Sequence, residues 1–211
     1  MAGFAGLAAQ TQSMAYRHLI LDRDGVLNDE APDSGYVQRP EDFRWLPGAC
    51  SALALLHRAG IRISVATNQS GVGRGLMSLE DLQRVHAKMM ADAAARGGPL
   101  DAVLWCAHAP EARCACRKPE PGLILAAIER SGIPASESLV VGDDERDLEA
   151  AARAGTDAAL VLTGKGRRTV AQLSASPRTG DRPMLVFDDL EALARSLVRD
   201  GALRPEGQVG E

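Results

Sequence analysis

Several things are missing from this chain. No apolar run approaches the length of a membrane span, so no transmembrane anchor is expected. The first residues, MAGFAGLAAQTQSMAYR, carry no basic cluster ahead of their mildly apolar start, which argues against a secretory signal. Residues 1–16 read instead as a flexible leader, or as residues upstream of a start at Met14, and the cytoplasm is the expected compartment. Cationic charge is not in excess: 24 Lys and Arg against 28 Asp and Glu leave a net charge of −4, so no overall basic field invites nucleic acid. Cysteine is scarce, at four residues. Cys106, Cys114 and Cys116 sit together, which is not the spread of a disulfide framework. There are no repeats and no low-complexity tracts.

What is present alternates between strand and helix. The 211 residues suit one domain with a sizeable core, and 45% hydrophobic residues is ordinary for a globular chain. Apolar runs read as strands at HLILD (18–22), IRISVAT (61–67), DAVLW (101–105), SLVVGD (138–143) and AALVLT (158–163), with a short last one in MLVF. Helices are expected over PGACSALALLHRAG, with Leu53 and Leu56 on one face, and after Ser78. Ser78 reads as an N-cap with Asp81 three residues on, followed by Leu79, Leu82, Val85 and Met89 at helical spacing. Further helices fall at about 121–131, at DLEAAARAG and at DLEALARSLV. Cys50 falls in a helix core, and residues 164–183 read as a polar, irregular connection. This alternation predicts an α/β fold: a doubly wound, mostly parallel, Rossmann-like sheet covered on both faces. Ligands of such sheets lie beyond the carboxyl ends of the strands, where Asp22, Thr67 and Asp143 fall.

The stretch LILDRDGVLND places Asp22 and Asp24 at a strand tip, on the same side of an extended chain. Asp22 can attack phosphorus and carry the phosphoryl group; Asp24 can protonate the leaving oxygen and then accept a proton from water. Gly25 allows the tight turn. Alone, Asp-x-Asp is equally a capped turn. A second strand end supplies Asp143 and Asp144, and Mg²⁺ with its hard oxygen ligands would offset such clustered charge, with Asp22 and Asp143 as the natural pair. Thr67 and Asn68 offer a hydroxyl and an amide to phosphate oxygens, and Lys118 a point charge.

With these four pieces in order, the chain resembles the haloacid dehalogenase superfamily of phosphotransferases, through LDRDGV, ATNQSG, RKPEPG and VGDDERD over roughly residues 17–163. The resemblance implies Asp22 as nucleophile, Asp24 as general acid/base, and Thr67 and Lys118 as phosphate ligands. It implies Mg²⁺ held by the Asp22 carboxylate, the Asp24 backbone carbonyl and Asp143, with Asp147 in support. It makes residues 17–200 a single phosphatase domain, with a flexible tail at 201–211.

WCAHAPEARCACRKPEPG contains Cys-x-His-x5-Cys-x-Cys: Cys106, His108, Cys114 and Cys116 form a complete tetrahedral set for a structural Zn²⁺, with no open position for catalysis. The loop (106–116) runs straight into Arg117 and Lys118, and a metal clip there would aim both cations at substrate. Together with DRDGVLN, GYV and TNQSGVGRG, this loop is similar to the subgroup holding heptose-bisphosphate 7-phosphatases and the related histidinol-phosphate phosphatases. That subgroup implies substrate contacts at Gly35, Tyr36, Thr67, Asn68, Gln69, Ser70 and Arg117. The chain departs from it at Asp144, where the heptose enzymes often carry a basic or small residue, and in the longer stretch DEAPDSGYV.

Neither the stretch between Gly25 and Gly48 nor that between Trp105 and Leu123 can build a large cap domain, so the site should be open, with Arg117, Arg74 and Arg39 as candidates for a second anionic group. The implied activity is Mg²⁺-dependent hydrolysis of a small phosphate monoester through an aspartyl-phosphate. The expected substrate is the 7-phosphate of a heptose 1,7-bisphosphate, with histidinol phosphate as the alternative and a polynucleotide 3'-phosphate more remote. The partner is a small phosphorylated molecule rather than nucleic acid or membrane, and a monomer is expected. A phospho-receiver module also uses an Asp, a Thr or Ser and a Lys, but there the acidic pair precedes the phosphorylated residue; a zinc-clipped binding module would not need all five polar residues.

Overall fold

β1 (His18–Leu21) has four residues, all buried, because helices cover both faces of the sheet at its centre. Alternation sends Leu19 and Leu21 into one core cluster and Ile20 into the other. The structure, a computed structural model, describes residues 16–29, 35–175 and 185–202. Around β1 stand β2 (Arg62–Asn68), β3 (Ala102–Cys106), β4 (Ser138–Gly142), β5 (Asp157–Val161) and β6 (Leu185–Phe187), in the order β3-β2-β1-β4-β5-β6 and parallel throughout. The helices are α1 (Ala49–Arg58), α2 (Leu79–Ala95), α3 (Gly122–Ser131), α4 (Glu145–Ala154), α5 (Gly166–Ala175) and α6 (Leu190–Arg199).

The chain winds outward from β1 to β2 and β3 on one side and to β4, β5 and β6 on the other. The loops leaving β1 and β4 therefore diverge and open a crevice at their carboxyl ends. The register puts Leu21 opposite Val141, so Asp22 and Asp143 leave the sheet one after the other at adjacent strand tips. None of the described helices is long and apolar enough to cross a membrane.

The Ser78 cap forms as expected: its Oγ accepts from the Asp81 N–H at 3.0 Å, and its own N–H donates to Asp81 Oδ2 at 3.0 Å. Leu82, Val85 and Met89 are buried, whereas Leu79, in the first turn of α2, is exposed. His86 joins the buried face in its place. Cys50 is half-buried rather than in the core, with Arg96 donating to its Sγ at 3.4 Å.

The irregular connection expected at 164–183 is overturned in part. Residues 166–175 of the supposed irregular connection form α5. Its packing is backbone-close and polar: a Cβ at Gly166 would stand 1.8 Å from the Val161 carbonyl oxygen, and Thr169 Oγ1 donates to the Asp143 carbonyl at 2.8 Å. No apolar stripe announces such a helix. Most of the expected leader and tail, and residues 30–34 of the long loop, lie outside the described residues. Tyr16 and Ala202, at the inner ends of that leader and tail, are joined by a 2.8 Å backbone hydrogen bond, and Tyr16 is buried.

Candidate active site

Asp22 leaves β1 into the crevice, and Gly25 turns the chain back with φ +87°. A side chain at Gly25 would strike Asp143 Oδ2 at 2.1 Å, and one at Gly164 would meet the same atom at 2.1 Å. Two glycines thus clasp the Asp143 carboxylate, whose Oδ2 also accepts from the Lys165 N–H at 2.7 Å. Carboxylate oxygens of Asp22, Asp143 and Asp147 lie within 4.8 Å of one another. Burial, reinforced by the Asp22 charge, pushes Asp143 up to about 8. Burial also lifts Asp22 to about 6 against the pull of Lys118. Acids so crowded call for a cation to offset their charge, and hard oxygens around a small space fit Mg²⁺.

Lys118 arrives from the Cys-rich loop, fully buried. Its Nζ stands 3.1 Å from Asp22 Oδ1 and 2.5 Å from Asp147 Oδ1, and donates to the Ala66 carbonyl at 2.7 Å. Burial works against its charge, but Asp147 and Asp22 outweigh it and raise its pKa. Asn68 clamps the same loop from both sides, donating to the Lys118 carbonyl at 2.9 Å and accepting from the Lys118 N–H at 3.0 Å. Its amide is therefore committed to holding Lys118, although the residue lines the crevice.

Asp24 is the second acid. Burial disfavours its anion, but Arg23 and hydrogen bonds from Asn28, Arg23 and Gln69 outweigh this and hold its pKa below the ordinary value. Gln69 is buried and does not line the crevice; its Nε2 joins Asp24 Oδ2 (2.8 Å) to Thr67 Oγ1 (2.9 Å). Ser70 Oγ meets the Tyr36 hydroxyl at 3.0 Å, and Gly35, Tyr36, Thr67, Ser70, Arg117 and Lys118 all line the crevice. Arg39 and Arg74 do not; Arg39 is exposed and pairs with Asp42 at 3.5 Å. Arg146 and Lys165, which sequence reasoning passed over, line it instead. The guanidinium Nη1 of Arg117 is buried with no partner among the described residues.

Asp144, the departure noted above, is not a bare charge. It caps α4 by accepting from the Arg146 N–H at 3.1 Å, and Arg146 grips it with two bonds of 2.9 and 2.8 Å. Burial opposes its charge, but the Arg146 hydrogen bonds prevail and lower its pKa to about 2.

The cysteine loop gathers its donors. Cys116 Sγ lies 3.3 Å from Cys106 Sγ, 3.4 Å from Cys114 Sγ and 3.3 Å from His108 Nδ1; Cys106 Sγ is 3.5 Å from both Cys114 Sγ and His108 Nδ1. These edges lie just inside the roughly 3.7 Å expected for a tetrahedron with Zn–S arms of about 2.3 Å. The set of three sulfurs and one nitrogen fits Zn²⁺. The same loop braces the neighbouring one: the Gln69 N–H donates to the Cys106 carbonyl at 2.8 Å and the Gly73 N–H to the Ala107 carbonyl at 2.9 Å. A side chain at Gly73 would stand 2.5 Å from the Ala109 nitrogen.

Comparison with known proteins agrees with this geometry. A family model described as HAD-hydrolase-like matches residues 115–193. The chain is 42% identical to the D-glycero-β-D-manno-heptose-1,7-bisphosphate 7-phosphatase of Pseudomonas putida over 85% of this chain and 98% of that one. It is also 42% identical to the α-anomer 7-phosphatase of Mycobacterium bovis over 74% and 84% of the two chains. A crystal structure of D,D-heptose 1,7-bisphosphate phosphatase from B. bronchiseptica, complexed with magnesium and phosphate, superposes with a TM-score of 0.80 at 40% identity, covering 87% of this chain and 99% of that one. The chain belongs to the haloacid dehalogenase-like hydrolases, in the family of the heptose-bisphosphate 7-phosphatases.

Proposed function

We propose that this protein is a Mg²⁺-dependent phosphatase that removes the 7-phosphate of D-glycero-D-manno-heptose 1,7-bisphosphate through an aspartyl-phosphate on Asp22. The observation that carries the reading is the Asp22 carboxylate at a strand tip, 3.1 Å from the Lys118 ammonium, in a chain similar over most of its length to enzymes of that name. Asp22 attacks phosphorus and the bond to the sugar oxygen breaks; Asp24, which takes up a proton once it turns from Arg23 and Gln69 toward the substrate, gives that proton to the leaving oxygen. Water then attacks the same phosphorus and passes a proton to Asp24. The bond to Asp22 breaks, inorganic phosphate leaves, and both acids return to their starting states.

Asp22, the Asp24 carbonyl and Asp143 would hold Mg²⁺, which when bound offsets phosphate charge against the carboxylates. Asp147 is already paired with Lys118 and serves to hold it. Lys118, Thr67 and Ser70 are the phosphate donors; Gln69 and Asn68 act behind them, on Asp24 and Lys118. In this reading Arg117 takes the second phosphate, assisted by Arg146 and Lys165, which its unpartnered guanidinium nitrogen and the shared crevice support. Gly35 and Tyr36 border the sugar. Zn²⁺ on Cys106, His108, Cys114 and Cys116 would fix the loop that delivers Arg117 and Lys118. Action as a monomer is part of this reading. A doubly charged sugar that does not cross membranes unaided fits the cytoplasm.

Phosphate release from both anomers of the 1,7-bisphosphate and from histidinol phosphate, with and without Mg²⁺, tests the reading. It predicts Mg²⁺-dependent turnover highest on a heptose bisphosphate. Faster turnover of histidinol phosphate would refute the substrate, and unchanged turnover in a chelator would refute the metal dependence.

A further inference from the structure

The reading above gives Asp24 two proton transfers, yet both its oxygens already face protein donors. Oδ1 accepts from Arg23 Nε at 3.2 Å, Arg23 Nη2 at 2.8 Å and Asn28 Nδ2 at 2.9 Å. Oδ2 accepts from Arg23 Nη2 at 3.0 Å and Gln69 Nε2 at 2.8 Å. Asp24 also borders the crevice, its side chain 22% exposed, so a turn away from those donors brings one of these oxygens to a leaving sugar oxygen or an attacking water.

Arg23 cannot follow it. Its side chain is 0% exposed and is the largest among the fully buried ones. Its far nitrogen, Nη1, lies 3.1 Å from Nε2 of His86, itself buried in α2. The His86 ring rests on Trp105 of β3, with centroids 5.2 Å apart. Burial and the neighbouring Arg23 charge lower the His86 pKa to about 3, so its ring is neutral and Nε2 accepts the hydrogen bond from Arg23. A buried, charged arginine needs partners in every state of the site. His86 supplies one that stays when Asp24 turns away.

Resting on the phosphatase reading, we infer that His86 and Arg23 are positioning residues: His86 seats the Arg23 guanidinium as a fixed dock, to which the Asp24 carboxylate returns between its two proton transfers. The dock explains the residue between the two acids, which the chemistry of Asp22 and Asp24 leaves without a task. It also explains a histidine within the apolar stripe of α2.

The test uses the full chain with Mg²⁺ and two variants, His86→Leu and His86→Gln, on heptose bisphosphate and on p-nitrophenyl phosphate. p-Nitrophenolate leaves without a proton, so its first turnover reports Asp22 attack and the fraction of competent sites. Later turnovers also report water attack, which needs Asp24. In His86→Leu, p-nitrophenolate should appear as a burst equal to the enzyme concentration, followed by a steady state about tenfold below wild type, because a misplaced base slows only the second step. On heptose bisphosphate kcat should fall by about tenfold or more with KM unchanged. His86→Gln, whose amide oxygen can accept from Arg23 Nη1, should recover most of the loss. Wild-type steady-state rates in His86→Leu would overturn the inference. So would slow turnover with no full burst, which marks general loss of competent enzyme, or a Gln variant no better than Leu. Wild-type enzyme that turns over without phosphorylating Asp22 would instead overturn the underlying mechanism, and the dock with it.

Discussion

Replacing Lys118 with Met removes a cation that contacts both Asp22 and Asp147. The methionine fills most of the space, so the main effect is electrostatic. Lys118 is 3% exposed, and its ammonium lies 3.1 Å from one carboxylate and 2.5 Å from the other. Breaking a buried pair by removing one partner costs about 3–5 kcal/mol, because the remaining charge is left without compensation. For a chain of this size each kcal/mol lowers Tm by about 2–4 °C, so the metal-free variant should melt about 6–20 °C below wild type. The double variant Lys118→Met/Asp147→Asn removes a charge from each side and should recover about half of that loss. Thermal unfolding followed by circular dichroism in a chelator measures all three proteins. Adding Mg²⁺ should raise the Tm of Lys118→Met without restoring activity, which stays about 10²–10³-fold below wild type for want of the phosphate donor. A metal-free Lys118→Met protein melting within about 2 °C of wild type would refute the argument that this lysine neutralises the carboxylates.

Three further outcomes follow from the site. Asp143 is held protonated by burial up to about pH 8, so its contribution to stability is present at low pH and is lost as pH rises through that value. The rise in Tm on adding Mg²⁺ should therefore grow between pH 6 and pH 8.5, a range taken from about that pKa; a constant rise would contradict the reading. Buried His18, whose pKa burial lowers to about 4, contributes equally with and without metal and cancels in this difference. Cys114→Ser should lose zinc, measured by elemental analysis, and phosphate turnover together; zinc loss with unchanged kinetics would show that the clip does not position Arg117 and Lys118. Arg117→Ala should raise KM about tenfold to a hundredfold for the 1,7-bisphosphate, but by less than about threefold for a substrate with a single phosphate.

Much of the fold was legible because a doubly wound sheet writes itself as apolar runs separated by capped helices. β1, β2, β3 and β4 fall within a residue at each end of where HLILD, IRISVAT, DAVLW and SLVVGD predict them, and the Ser78–Asp81 cap marks α2. The acids at the strand tips were legible for the same reason. α5 was not, because Gly166 and Thr169 hold it through close backbone approach and a hydroxyl rather than through apolar spacing. The network around Asp24 was equally hidden. Asn28, Gln69 and His86 come from separate elements, and only folding reveals that they converge on one carboxylate or on the arginine beside it. Arg39 and Arg74 were credited as cations near the site, whereas Arg146 and Lys165 border it, because charge in a sequence says nothing of the direction in which a long side chain leaves its loop.

The central claim is that Asp22 becomes covalently phosphorylated during turnover. Enzyme quenched in the steady state with substrate and Mg²⁺, reduced with borohydride and mapped by peptide mass spectrometry, tests it directly, because an acyl phosphate is converted to homoserine. The account predicts homoserine at position 22, absent without substrate and absent in Asp22→Asn, which should also be inactive. Full turnover with aspartate unchanged at position 22, or with the modification at another residue, would contradict it.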